Sequence, residues 1–186
     1  GQRLRPQELG LLASVGVGSV PVYKPLKVAL LSTGDELIEP GELARPGTIF
    51  NSNRYTLRGL LQALHFDIVD LGVVADTFEA TEKALLEAAN ADCIISSGGV
   101  SVGEEDHVKV AIEKLGRLNL WKLAIKPGKP FAFGDVKGTP FLALPGNPVA
   151  AFATFLLLCR PYLLTKQGVG NIGTPTFTLP ANFSRK

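Results

Sequence analysis

Apolar positions along the chain follow two periods in turn. Residues 26–32, LKVALLS, form a continuous aliphatic run of the kind that suits a strand buried on both faces. Past a polar loop, NRYTLRGLLQALHF (53–66) places Leu57, Leu60, Leu61 and Leu64 at i, i+3, i+4 and i+7, which predicts an amphipathic helix. DIVDLGVVA (67–75) predicts a second strand and TFEATEKALLEAAN (77–90) a second helix, with Asp76 and Glu79 spaced as an N-cap and its return partner. ADCIISS (91–97) and DHVKVAIEKLG (106–116) repeat the pair, with Val108, Ala111, Ile112 and Leu115 on one helical face. The pattern then changes. LNLWKLAIKP, PFAFGDV and TPFLALP are three strand-like runs with no room for a helix between them, and a long helix from about Val149 to Leu164 closes the unit.

Three alternations of strand and helix predict a three-layer α/β/α fold with a mostly parallel sheet, made mixed by a late hairpin. Residues 26–165 carry this pattern. Residues 1–25 read as a lead-in from a preceding domain, with a short helix in RPQELGLLASVG and a short strand in SVPVYK. Residues 166–186 read as a glycine-rich linker and the start of a truncated C-terminal β domain. With no methionine anywhere, position 1 included, the chain reads as a piece of a longer polypeptide.

Composition narrows the function by exclusion. A net charge of +2, spread along the 186 residues, gives no nucleic-acid footprint and no polybasic membrane patch. The most apolar run, Val149 to Cys159, is short for a bilayer span, and no signal-peptide core opens the chain, so a cytoplasmic protein is expected. Cys93 and Cys159 both lie in apolar segments and read as core residues. Two histidines and no CxxC argue against zinc.

The candidate chemistry gathers where an α/β sheet binds its ligands, beyond the carboxyl ends of the strands. SSGGVSVGEED (96–106) holds Ser97, Gly98, Gly99, Ser101 and Gly103. It either forms an anion nest of backbone N–H groups or simply needs positive φ at its glycines. Asp106 either caps the third helix or holds Mg2+, which takes one or two carboxylates and completes its shell with water and phosphate oxygens. Asp35, Glu36 and Asp76 are further acids at this edge. Lys122, Lys126 and Lys129 supply positive charge, and the first two would share a face in a regular strand. In LPGNP (144–148), Asn147 is a good N-cap with Pro148 at N1, so Pro145, Gly146, Asn147 and Pro148 form either an anion-facing helix start or a plain turn. Acids and lysines across a glycine loop suit a polyanion with a divalent metal. No nucleophile set for covalent catalysis is visible.

Taken together, STGDEL (32–37), IFNSNRYTL (49–57), SSGGVSVGEED, WKLAIKPGKPFAFG (121–134) and LPGNPVA (144–150) resemble the molybdenum-insertion enzymes of molybdenum cofactor biosynthesis, the MoeA family, which includes the gephyrin E domain. The resemblance implies a MogA/MoeA-like fold and a molybdopterin molybdenumtransferase activity: adenylylated molybdopterin and molybdate react with Mg2+ assistance, and AMP leaves. Glu36, Asp76 and Asp106 match the family's essential acids, which would also hold the metal. Lys122, Lys126 and Lys129 match its basic residues, the last two placed to hold molybdate, and Ser101 matches a ligand-contacting serine. Pro145 and Pro148 match positions that shape the last loop.

The resemblance further implies a homodimer formed through the full-length chain, and contact with molybdopterin adenylyltransferase. One departure is Ala150, where many relatives carry serine. Two rival functions share the fold: molybdopterin adenylyltransferase, whose glycine loop reads closer to SGGTG, and a non-catalytic scaffold, which would not require the acids and lysines.

Overall fold

The computed structural model describes residues 1–98, 107–126, 129–173, 176–180 and 182, with no side-chain description for 120–122. A six-stranded sheet forms the centre. Its strands are β1 (Lys27–Thr33), β4 (Asp67–Val74), β5 (Cys93–Ser97), β6 (Gly116–Lys122), β7 (Pro130–Val136) and β8 (Thr139–Leu144). The spatial order is β4-β1-β5-β8-β7-β6. The first four run parallel; β7 is antiparallel to both β8 and β6, so β6 again points the same way as β1. The expected mixed sheet is therefore present. Two further strands, β2 (Leu37–Ile38) and β3 (Ile49–Phe50), pair inside the loop that follows β1.

Alternation along β1 sorts its side chains into two cores, as the pleat requires. Val28 and Leu30 face α2 (Ser52–Ala63) and the closing helix, packing with Leu57, Leu61, Phe155 and Leu163. Ala29 and Leu31 face α3 (Phe78–Ala88) and α4 (His107–Leu115), packing with Leu85, Val108 and Ile112. Helices thus cover both faces, and the fold is three-layer α/β/α. Cys93 and Cys159 are buried core residues, and loss of water raises both thiols, Cys93 to about 12.

The closing helix is not uniform. It runs as α5 (Pro148–Thr154), a π-helical turn (Phe155–Cys159) and α6 (Arg160–Lys166). At 19 residues it is long and apolar enough to cross a membrane. One stripe of it, Ala151, Phe155, Cys159 and Leu163, is buried against the sheet, which is the pattern of a core helix.

Two local expectations are corrected. SVPVYK is not a strand: no described residue pairs with it in a ladder. The N-terminal helix is real, α1 (Pro6–Ser14), though none of its residues is buried. Asp76 does not cap α3: Thr77 does, its side chain accepting from Ala80 N–H at 3.3 Å. Two adjacent residues competed for that role, and the β-branched hydroxyl residue in extended conformation took it.

Candidate functional site

Because β6 runs with β1, β4, β5 and β8, the loops after all five strands open at one edge of the sheet. The chain leaves β1 toward the α2 face and leaves β5 toward the α3/α4 face. Between two neighbouring strands that diverge in this way a crevice opens, the usual ligand position in such sheets.

Gly98 stands at that crevice. Its φ is +83°, and any Cβ would overlap the carbonyl oxygen of Thr33 at the end of β1. Its N–H donates to Leu144 O at 3.3 Å, so one glycine stitches the ends of β1, β5 and β8 together. Of the two readings of the glycine loop, the backbone requirement holds at Gly98. The nest reading rests on Gly99, Ser101 and Gly103, which with Asp106 lie outside the described residues. Ser97 is buried, its hydroxyl 2.9 Å from that of Ser32 across the crevice floor, so this pair satisfies itself.

The acids stand on the β1/β4 side. Glu36 is exposed, and its carboxylate folds back over Gly34, where a Cβ would lie 2.6 Å from it. Asp35 accepts the Asp76 N–H at 3.1 Å, joining the loops after β1 and β4. Asp76 is exposed, and with Thr77 as the cap its carboxylate is released from the helix-capping role.

The lysines stand on the other side. β6 ends at Lys122, so Lys126 is not a strand residue and does not share a strand face with it. Lys126 and Lys129 lie in the hairpin between β6 and β7, which closes through Leu123 N–H donating to Lys129 O at 2.9 Å. Both are exposed and form no ion pair among the described residues. The side chain of Lys122 is outside the described set. At about 4.8 Å per strand, β1 and this hairpin are roughly 14–19 Å apart. One ion cannot bridge that gap; an elongated, two-ended ligand can.

Between the two charged ends lies LPGNP. Asn147 caps α5 by accepting from Ala150 N–H at 3.1 Å, with Pro148 at the helix start, and Pro145 is buried. Ala150 is 3% exposed. Its N–H is consumed by the cap and Pro148 has none, which leaves the amides of Gly146, Asn147 and Val149 as the loop's donors.

Residues 29–165 match the family described as a probable molybdopterin binding domain. The chain belongs to this family. Over 169 residues the chain is 50% identical to the molybdopterin molybdenumtransferase of Haemophilus influenzae, covering 90% of this chain and 42% of that protein. It is 45% identical over 160 residues to the Drosophila melanogaster molybdenum cofactor synthesis protein cinnamon, covering 85% of this chain and 26% of that one. The crystal structure of a molybdopterin biosynthesis moeA protein from Pyrococcus horikosii superposes with a TM-score of 0.82 at 34% identity, covering 91% of this chain and 42% of the other. The chain thus spans less than half the length of these relatives.

One constellation, inside the IFNSNRYTL segment, holds roles that the sequence did not assign. The start of α2, NSNRY (51–55), buries polar groups beneath the site. Asn51 accepts from Arg54 N–H as the helix cap, and Asn53 Nδ2 donates to Gly146 O at 2.8 Å. Arg54 reaches Glu39 and Asp70, each at 2.8 Å, and Tyr55 Oη donates to Glu39 at 2.8 Å. Burial pushes the Glu39 carboxyl up, but the hydrogen bonds from Tyr55 and Arg54 outweigh it and hold the group below its usual range. The signal available was a second asparagine, more than one helix cap needs.

Proposed function

We propose that this chain is the molybdopterin-binding part of a molybdopterin molybdenumtransferase, which inserts molybdate into adenylylated molybdopterin in a Mg2+-dependent reaction and releases AMP. The observation that carries the reading is the separation of charge along one sheet edge. Carboxylates sit at the β1/β4 end, Lys126 and Lys129 at the β6/β7 hairpin with no ion pair among the described residues, and Gly98 and LPGNP between them. An adenylylated pterin is a two-ended anion, and molybdate is a second anion that must approach it. Cations at one end and a metal held at the other offset their repulsion.

The donor chemistry fits Mg2+, which prefers oxygen ligands and few carboxylates. No three acids, histidines or cysteines stand close enough to hold a metal among the described residues. Glu36 and Asp76 would therefore share the ion with Asp106 and phosphate oxygens. When bound, the ion supplies charge neutralisation at the cleaved phosphate. Lys126 and Lys129 hold molybdate, aided by Lys122. The LPGNP amides and Ser101 orient the ligand, and the packed crevice floor at Ser32, Ser97 and Gly98 supports it from below. The 26–165 unit would work in the cytoplasm within a longer, dimeric polypeptide and receive its substrate from an adenylyltransferase.

The test is AMP release by the full polypeptide from adenylylated molybdopterin and Mg2+, with and without molybdate, beside Asp106→Ala. Release that requires molybdate and falls at least 100-fold (about 10²–10³ for losing one electrostatic group) in the variant is expected. Pyrophosphate formed from ATP and free molybdopterin would replace this reading with the adenylyltransferase.

A further inference from the structure

A helix start needs one capping side chain, and α2 has it in Asn51. Asn53 lies inside the first turn, where asparagine is a weak helix former, and it is only 9% exposed. Local structure gives no reason for a buried amide there. Its Nδ2 instead donates to Gly146 O, 93 residues away, at 2.8 Å. Gly146 is exposed, and a Cβ on it would meet no atom within 4 Å. Between buried Pro145 and the capping Asn147, no packing at the Gly146 Cβ position holds the peptide, and the hydrogen bond from Asn53 does. A trans peptide is planar with its oxygen and hydrogen opposed, so anchoring the Gly146 carbonyl toward α2 turns the Asn147 N–H away from it.

We propose that Asn53 is a positioning residue that sets the direction of the Gly146–Asn147 peptide, and through it the loop's grip on the oxyanion substrate. The consequence for substrate rests on the molybdate-insertion reading above; the tether itself does not. Asn53→Asp keeps size and replaces the donor with an acceptor facing a carbonyl, so the peptide loses its anchor.

Two readouts decide the matter. In hydrogen exchange, Asn53→Asp should speed the amides of Ala150 and Ala151, both of which donate to Asn147, by about tenfold, the loss of one hydrogen bond, with β1 and β5 unchanged. In turnover, KM for molybdate should rise by about tenfold while kcat at saturating molybdate stays within about twofold. Where Asn53→Asp also loosens β1 and β5, Asn53→Ala removes the donor without adding charge, and its loop exchange decides. Unchanged loop exchange in the folded variant overturns the proposal, as does a fall in kcat at unchanged KM. If the wild-type polypeptide shows no molybdate-dependent turnover, the insertion reading fails and the exchange result alone judges the tether.

Discussion

Two glycines at the same sheet edge carry opposite constraints. Gly98 has φ +83° and presses on the Thr33 carbonyl, whereas Gly146 has an ordinary φ and open space around it. Gly98→Ala should therefore cost more than the ~1–2 kcal/mol of a left-handed alanine, since backbone must also move. Gly146→Ala should stay within about 0.5 kcal/mol of wild type. Urea midpoints at constant slope check both. Similar losses in the two variants would mean that the crevice does not depend on the contact described. The sequence marked both residues as loop glycines but could not separate them, because the difference lies in which strand end each one touches.

At the scale of elements, the stripes of Leu57, Leu60, Leu61 and Leu64 and of Val108, Ala111 and Ile112 foretold α2 and α4, since their burial follows from helical geometry alone. The misreadings fall where two local options were close or where a distant partner decided. Asp76 and Thr77 were rival caps, and SVPVYK had strand composition without a ladder partner among the described residues. β2 and β3 are two residues each, too short for any period to register. The Glu39–Arg54–Asp70 cluster pins the loop carrying β2 to α2 and the β4 edge. Its pH dependence has a definite sign. The folded Glu39 carboxyl lies below its ordinary 4.5, so its stabilisation is fully present above that value and is lost as pH falls through the lower folded one. Glu39→Gln should be less stable than wild type at neutral pH, by about 1 kcal/mol for a partly exposed charged hydrogen-bond set, and should lose less stability on acidification below 4.5. Parallel acid-denaturation curves for the two proteins would remove Glu39 from the cluster's energetics.

For the molecule as a whole, the strand order β4-β1-β5-β8-β7-β6 gathers scattered sequence motifs into one candidate site. Acids after β1 and β4 and lysines before β7 are far apart in the chain, and only this order sets them at the two ends of one edge. Their gathering at the carboxyl ends was legible once strands and helices were seen to alternate. Their sequence across the edge was not, because it depends on where β8 inserts beside β5. The two-ended arrangement is the reason for proposing a two-ended anion as substrate and molybdate insertion as the reaction. The most direct test of that claim is the metal content of the product. With adenylylated molybdopterin, Mg2+ and molybdate supplied to the full polypeptide, molybdenum eluting with the pterin should equal the AMP released. AMP released with no molybdenum in the pterin fraction would contradict the account.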